Sequence, residues 1–198
     1  MIYNIVFDVG RVLVDLHPQP IIDFLTEHGA RVENIEALCE SVTLEDHECG
    51  RLDGGGLLAR MAALAERSPT LERLQAKWVD MFQLHPPMVN LAHRLSEHYR
   101  VYLLSNVGDI HWAHLSREYS LHRIGHGVLL SYLAGVMKPH AGIYVEAERR
   151  FNLTPAQTVF IDDRAENVSA ARARGWHGIV HSGYEPTVAA LRALKVDC

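Results

Sequence analysis

The sequence predicts an α/β fold with a Rossmann-like, doubly wound parallel sheet. Five short apolar runs are typical of strands buried on both faces of such a sheet, and helical patterns lie between most of them. These runs comprise residues 2–7, 101–104, 128–130, 158–161 and 178–180. Because strands and helices alternate along the chain, we predict a parallel sheet with the strand order 3-2-1-4-5.

Two helices in the second half of the chain have well-marked ends. Pro139 is suited to open a helix that runs towards Phe151, because proline is tolerated in the first helical turn. Gly175 follows residues 167–174, and glycine is common just beyond the C-terminus of a helix. Both patterns agree with helices that alternate with the later strands.

One long stretch interrupts the alternation. About 90 residues separate the first two strands, far more than a crossover needs, and their patterns are helical throughout. We therefore predict an inserted four-helix cap over residues 17–85, and a core made of residues 1–16 and 86–198. Proline pairs at both ends of the insert mark the connections. The predicted cap helices comprise residues 20–27, 35–44, 57–66 and 70–82, and the glycine-rich residues 51–56 are expected to be flexible.

Composition excludes several functional classes. The chain has 198 residues, with 19 Lys plus Arg against 24 Asp plus Glu, for a net charge of −5. Without a basic cluster, nucleic acid is not an expected partner. No apolar run approaches the roughly 20 residues of a spanning helix, so we expect no membrane partner and a cytoplasmic location. Three widely spaced cysteines without a CxxC motif predict reduced thiols, namely Cys39, Cys49 and Cys198.

Polar side chains directly follow three of the predicted strands. Asp8 follows the first strand, Ser105 and Asn106 follow the second, and Asp162 and Asp163 follow the fourth. In the predicted order these strands are neighbours about 4.8 Å apart, so their carboxyl ends should bring the polar groups within roughly 10 Å of one another. Each residue taken alone could instead be a turn residue or a helix cap. Their recurrence at one sheet edge favours a functional site.

The chemistry of this set suits phosphoryl transfer. Carboxylates are suitable ligands for Mg²⁺, and an aspartate can accept a phosphoryl group as an acyl phosphate. A hydroxyl group and a lysine, here Lys138 beside Pro139, can neutralise charge on the transferring group. We therefore expect a small phosphorylated molecule as substrate and Mg²⁺ as cofactor.

Four ordered motifs resemble those of the haloacid dehalogenase superfamily of aspartate-dependent hydrolases, over essentially the whole chain. The helical insert falls where members with a four-helix cap carry it, and residues 45–57 resemble the Glu-X-Gly segment of such caps. Within the superfamily, the motif residues are most similar to those of sugar-phosphate phosphatases and of the phosphatase domain of soluble epoxide hydrolases. The motifs are Asp8-Val9-Gly10-Arg11-Val12, Leu104-Ser105-Asn106, Lys138-Pro139 and Ile161-Asp162-Asp163-Arg164-Ala165-Glu166-Asn167.

The resemblance implies a role for each motif residue. Asp8 would be the nucleophile, and Ser105 and Lys138 would contact the phosphoryl oxygens. Asn106 would help to shape the phosphate site. Arg11 could reach a phosphate or a substrate carboxylate, or could equally be solvated. The implied Mg²⁺ ligands are Asp8, the Gly10 carbonyl, Asp162 and Asp163.

The chain departs from the family pattern at Gly10. Most phosphatases of the family have a second aspartate there, which protonates the leaving alcohol and later activates water. Its absence should lower the rate, because general acid–base catalysis contributes roughly 10²–10⁴-fold. The candidate substitutes are Asp15, His17 and any cap residue that reaches the site, although a histidine before a proline is more simply a linker residue.

The leading prediction is thus a Mg²⁺-dependent phosphatase that forms an aspartyl-phosphate on Asp8. One alternative is a 2-haloacid dehalogenase with the same nucleophile, which needs no leaving-group acid; the acidic pair Asp162-Asp163 disfavours it. Another is a non-catalytic module that binds phosphorylated ligands, which the absent acid at Gly10 suggests and the other filled positions disfavour. The sequence leaves the substrate and the oligomeric state open.

Overall fold

The computed structural model describes residues 1–198 and contains seven strands, eleven α-helices and two short 3₁₀ turns. The strands are β1 (Asn4–Phe7), β2 (Val14–Leu16), β3 (Phe82–Leu84), β4 (Arg100–Ser105), β5 (Gly127–Leu130), β6 (Thr158–Asp162) and β7 (His177–Val180). The helices are α1 (Gln19–Glu27), α2 (Ile35–Ser41), α3 (Leu44–Glu48), α4 (Gly54–Ala62), α5 (Leu71–Val79), α6 (Pro86–Ser96), α7 (Asp109–Tyr119), α8 (Ser131–Ala134), α9 (Ala141–Phe151), α10 (Ala165–Ala173) and α11 (Tyr184–Ala193).

Five of the strands form one parallel sheet in the order β5-β4-β1-β6-β7. This is the predicted order 3-2-1-4-5, so the fold-class prediction is confirmed. All residues of β1 and β6 are buried, in agreement with their predominantly apolar sequences. β1 is the central strand and β6 is one of its two neighbours, so helices cover both strands on both faces.

Helices cover both faces of the sheet. On one face, Leu91 of α6, Leu115 of α7 and Leu191 of α11 belong to the same hydrophobic cluster as Phe7. The preceding residue, Val6, belongs to a second cluster with side chains of α9 and α10. Since successive side chains of a strand point to opposite faces, the sheet is wound on both sides. The carboxyl edge of the strands stays open for a site.

The long stretch between β1 and β4 is helical, but its details differ from the prediction. Five helices, α1–α5, occur where four were predicted. The predicted helix 35–44 ends at Ser41, and the unpredicted α3 follows Thr43, which takes a left-handed conformation with φ 52°. Val42, directly before this break at Thr43, is buried and continues the apolar pattern of the helix, so the pattern gives no indication that the helix has ended. We call α1–α5 the helical insert. Fourteen of its buried residues form a separate hydrophobic cluster.

Two further predictions for the insert are corrected. The glycine-rich residues 51–56 are not a continuous flexible loop, because Asp53 accepts a hydrogen bond from Gly56 N at 2.8 Å and caps α4. The predicted helix 70–82 ends at Val79, and β3 then pairs with β2 as an antiparallel ribbon. That ribbon joins the insert to the sheet, while the domain boundaries at residues 17 and 85 stay a prediction.

The marked helix ends lie close to their predicted positions. The helix expected at Pro139 begins two residues later as α9 and reaches Phe151. Gly175 follows α10 in the left-handed region, with φ +86°. No helix of the chain combines the length and apolar character needed to cross a bilayer.

Candidate active site

The parallel register brings the predicted polar residues to one edge of the sheet. Phe7 lies opposite both Leu103 of β4 and Ile161 of β6, so Asp8 emerges beside the ends of both neighbouring strands. Ser105 and Asp162 are the last residues of those strands. The convergence expected from the sequence is therefore present in the fold.

Lys138 lies at the centre of this edge. Its ammonium group is 2.8 Å from Asp8 Oδ1 and 2.7 Å from Asp162 Oδ2, and it donates a third hydrogen bond to Leu104 O at 3.0 Å. The residue is only 2% exposed. Burial acts to lower the pKa of Lys138, but the two carboxylates outweigh it, so the pKa is raised and the side chain stays charged.

Asn106 fixes the main chain of Lys138. Its Oδ1 accepts a hydrogen bond from Lys138 N at 2.8 Å, and its Nδ2 donates one to Lys138 O at 2.9 Å. The amide therefore joins the end of β4 to a loop that is distant along the chain. The buried Ser105 lies next to it, at the end of the same strand.

The two adjacent acids after β6 differ in their surroundings. Asp162 is fully buried; its oxygens accept hydrogen bonds from Arg164 N at 2.8 Å and from Asn167 Nδ2 at 2.9 and 3.0 Å, in addition to the contact with Lys138. Asp163 is partly exposed and forms only a 4.0 Å ion pair with Arg11. Asp162 is thus held rigidly, while Asp163 faces the opening of the site.

Asp8 is buried in a strongly charged environment. Val9 N donates a 2.7 Å hydrogen bond to its Oδ1. Burial raises the pKa of Asp8 from 3.8 to about 7; Lys138 opposes the shift and Asp162 adds to it. One oxygen from each of Asp8, Asp162 and Asp163 lies within 4.8 Å of the other two. This set of hard oxygen donors fits a small divalent cation, whose charge would offset that of the three carboxylates.

Two adjoining cavities open at the sheet edge. A polar cavity of about 190 Å³ is lined by most of the predicted site residues, together with four that were not predicted. An apolar cavity of about 120 Å³ lies between the sheet and the insert, and its lining includes Trp78, Met81 and Phe82. Asp8, Gly10, Arg11, Asn106, Lys138 and Asp163 line the polar cavity, Ser105 lines the apolar one, and Asp162 lies behind them.

Asp15 and His17 line neither cavity. Asp15 lies in β2 opposite Gln83, and His17 is exposed and uses its backbone N–H to bond Met81 O. The structure thus removes the support for both as substitutes for the acid absent at Gly10.

Four residues of the polar cavity were missed as site residues, namely Leu16, Glu48, Arg164 and Asn167. Arg164 and Asn167 lie within the fourth motif, so their position in the sequence already indicated that they are near the site. Glu48 lies in the Glu-X-Gly segment of the insert, but the sequence offers no indication that it reaches the end of β1. Only the docking of the insert brings it there.

Together, the parallel sheet and the carboxylate cluster at its carboxyl edge define an aspartate-based hydrolase. A model of the haloacid dehalogenase-like hydrolases matches residues 4–175. The chain belongs to this family.

Similar proteins include two phosphatases. A D-ribitol-5-phosphate phosphatase of Bacteroides thetaiotaomicron is 26% identical over 186 residues, which are 89% of this chain and 90% of that protein. A sesquiterpene phosphatase of Aspergillus oryzae is 23% identical over 195 residues, 98% of this chain and 96% of that protein. The crystal structure of a family enzyme of B. thetaiotaomicron in complex with magnesium superimposes with a TM-score of 0.85 at 25% identity, over 96% of this chain and 98% of that one.

Proposed function

We propose that this protein is a Mg²⁺-dependent phosphatase that hydrolyses a small phosphorylated metabolite through an aspartyl-phosphate on Asp8. The observation that carries the proposal is the convergence of three carboxylates around a buried lysine at the open end of β1. Such a site can bind a cation and an anionic phosphate side by side. The named activities of the two relatives and the magnesium complex of the structural neighbour support the same reading.

Four groups would hold the magnesium ion. Asp8 and Asp163 line the polar cavity, and so does Gly10, whose carbonyl is a further donor. Asp162 would contribute from behind, since one of its oxygens lies within 4.8 Å of one from Asp8 and one from Asp163. When bound, the ion would neutralise phosphate charge and allow the anionic substrate to approach Asp8.

The other residues prepare the phosphoryl group for attack. Lys138 places a positive charge within 2.8 Å of the nucleophilic carboxylate, where it would also meet a phosphoryl oxygen. Ser105, at the end of β4, would donate its hydroxyl to another. Arg11 has a largely exposed side chain near Asp163, so we assign it to the outer part of the phosphate site.

The helical insert would select the rest of the substrate. Its residues Trp78 and Met81 line the apolar cavity beside the phosphate site, so the predicted cap, residues 17–85, would contact the leaving alcohol. Sugar and polyol phosphates are the first substrates to test, because the first of the relatives acts on D-ribitol 5-phosphate. Phosphates of apolar alcohols form the second class, in view of the cavity and the second relative.

The test is phosphate release from a panel of phosphorylated metabolites, measured with Mg²⁺ and with EDTA. We expect turnover only with Mg²⁺ and its loss in Asp8→Asn, which keeps the shape of the side chain and removes the nucleophile. Asp23→Asn, at an exposed position of α1, is the matched control and should keep wild-type activity. Metal-independent turnover, or an active Asp8→Asn variant, would refute the proposal.

The dehalogenase alternative gains no specific support from the site. A metal-independent enzyme that attacks a haloacid carboxylate would have to place an anion beside Asp8, Asp162 and Asp163. Halide release from chloropropionate in EDTA would reverse the order of the two proposals. Tight binding of phosphorylated ligands with Mg²⁺ but without turnover would instead favour the non-catalytic module.

A further inference from the structure

The position where most phosphatases of the family have their proton donor is a glycine, but space for a side chain remains there. Gly10 lines both the polar and the apolar cavity. A Cβ at this position would approach Leu16 Cδ1 at 3.6 Å, an ordinary contact, and would meet no backbone. A clash at Cβ therefore does not require glycine at this position.

The boundary between the two cavities is where a leaving-group oxygen must lie. The phosphoryl group would occupy the polar cavity, and the organic part of the substrate would occupy the apolar one, so the bond that breaks crosses from one to the other. Four residues line both cavities, namely Gly10, Leu16, Glu48 and Asn106. Among these four, only Glu48 has a side chain that can donate and accept a proton near neutrality.

Glu48 is held at this boundary by close contacts between α3 and the sheet domain. Two residues after it, Gly50 packs so tightly that an added Cβ would lie 2.2 Å from Tyr132 O, and its φ of +70° also favours glycine. One residue before it, the buried His47 packs against Gly108, where a Cβ would lie 2.0 Å from His47 Nε2. Both contacts fix the end of α3 against the core, one at α8 and the other at the residue that precedes α7.

The charges around Glu48 suit a group that exchanges protons. Burial raises the pKa of Glu48 to about 7; Lys138 and Arg164 of the site oppose this shift, and the neighbouring Glu45 adds to it slightly. Burial raises the pKa of the Cys39 thiol, and the negative charge of Glu48 adds to that shift. A general acid works best when its pKa lies near the working pH.

We propose that Glu48 is the general acid and base of this enzyme, in place of the aspartate absent at Gly10. This inference rests on the proposed phosphatase function. In the first step an oxygen of Asp8 bonds to phosphorus and the bond from phosphorus to the leaving oxygen breaks. The electron pair stays on that oxygen, which takes the proton of the Glu48 carboxylic acid and leaves as an alcohol.

In the second step the Glu48 carboxylate takes a proton from a water molecule. The water oxygen bonds to phosphorus, and the bond between phosphorus and Asp8 breaks with its electron pair on the carboxylate. Inorganic phosphate leaves, and Glu48 is protonated again. The same side chain thus serves both halves of the reaction, and protons balance over one turnover.

The test compares Glu48→Gln with wild type on p-nitrophenyl phosphate and phenyl phosphate. The first has a good leaving group that needs no proton, whereas the second has a poorer one. We expect the variant to lose about 10²-fold or more in kcat on phenyl phosphate, and less than about 10-fold for formation of the aspartyl-phosphate from p-nitrophenyl phosphate, measured as a burst of nitrophenol. Glu45→Gln, on the exposed side of the same helix, is the matched control and should leave both rates unchanged.

A double-mutant cycle with Gly10→Asp separates catalysis from structure. If Glu48 supplies the proton, this substitution should raise the rate on phenyl phosphate at least about tenfold more in the Glu48→Gln background than in wild type. An equal loss in the rate of aspartyl-phosphate formation from both substrates, or equal gains in both backgrounds, would overturn the assignment, while wild-type turnover upholds the phosphatase proposal. A wild-type enzyme without activity on any phosphate ester would overturn both.

Discussion

Replacing Lys138 by methionine tests whether charge holds the site together. The ammonium group lies 2.8 Å from Asp8 Oδ1 and 2.7 Å from Asp162 Oδ2, and all three side chains are at most 10% exposed. Methionine has a similar length and no charge. Removing one partner of a buried ion pair typically costs about 3–5 kcal/mol, because the remaining charge is left unpaired. We expect a loss of this size in the free energy of unfolding at pH 8.

The loss should depend on pH, and its sign follows from Asp8. In the folded protein the pKa of Asp8 is raised from 3.8 to about 7. A carboxyl group with a raised folded pKa contributes stability at low pH, and this contribution is lost as pH rises through the folded pKa. Without Lys138 the pKa of Asp8 should rise further. The difference between variant and wild type should therefore be smaller at pH 5 than at pH 8.

Urea unfolding at both pH values, in buffer with EDTA, measures this difference. Lys77→Met is the matched control, because Lys77 is exposed and its 3.6 Å pair with Asp80 lies on the surface. Such pairs contribute about 0–1 kcal/mol, so the control should show a small loss that hardly changes with pH. An equally large loss for Lys138→Met at pH 5 and pH 8 would show that packing, and not charge, stabilises this position.

Two further substitutions test the contacts that place the site. Gly50→Ala would set a Cβ 2.2 Å from Tyr132 O at a left-handed φ, so we expect a loss of about 2 kcal/mol or more in thermal unfolding experiments. The control is Gly55→Ala, whose Cβ would meet only an ordinary 3.6 Å contact, so this substitution should be neutral or slightly stabilising. Equal effects of Gly50→Ala and Gly55→Ala would contradict the close packing of α3. Asn106→Ala removes both hydrogen bonds to the main chain of Lys138. The free energy of unfolding should therefore fall by about 1–3 kcal/mol, and the rate of phosphate release by more than about tenfold. Unchanged turnover would show that these two hydrogen bonds do not serve catalysis.

Much of the site was predictable because its residues follow strands. Asp8, Ser105 and Asp162 each come at the end of a buried apolar run, and the strand order then brings them together. The difference between Asp162 and Asp163 was not predictable, since it arises from the hydrogen bonds of Asn167 and the ion pair with Lys138. The role of Asn106 as a clamp on Lys138 is likewise a contact between two distant loops.

The helical insert was predictable in kind but not in detail. Its apolar periodicity indicates helices, yet the break at Thr43 depends on one left-handed residue that the pattern does not reveal. The ribbon of β2 and β3 is equally hidden, because each strand has three residues and their pairing joins opposite ends of the insert. Asp15 and His17 illustrate the consequence: both stand near Asp8 in the sequence, but the residue between them, Leu16, lines the cavities, and alternation along β2 turns its two neighbours to the other side.

The sequence by itself determined the α/β class, the strand order and the carboxylates at the sheet edge, because these follow from local hydrophobic patterns and from the ends of strands. Only the tertiary structure decided which residue of the insert meets the bond that breaks. Glu48 reaches the cavity boundary because Gly50 and Gly108 allow α3 to approach the sheet closely. Such an approach depends on the shapes of surfaces far apart in the chain, which no local pattern encodes.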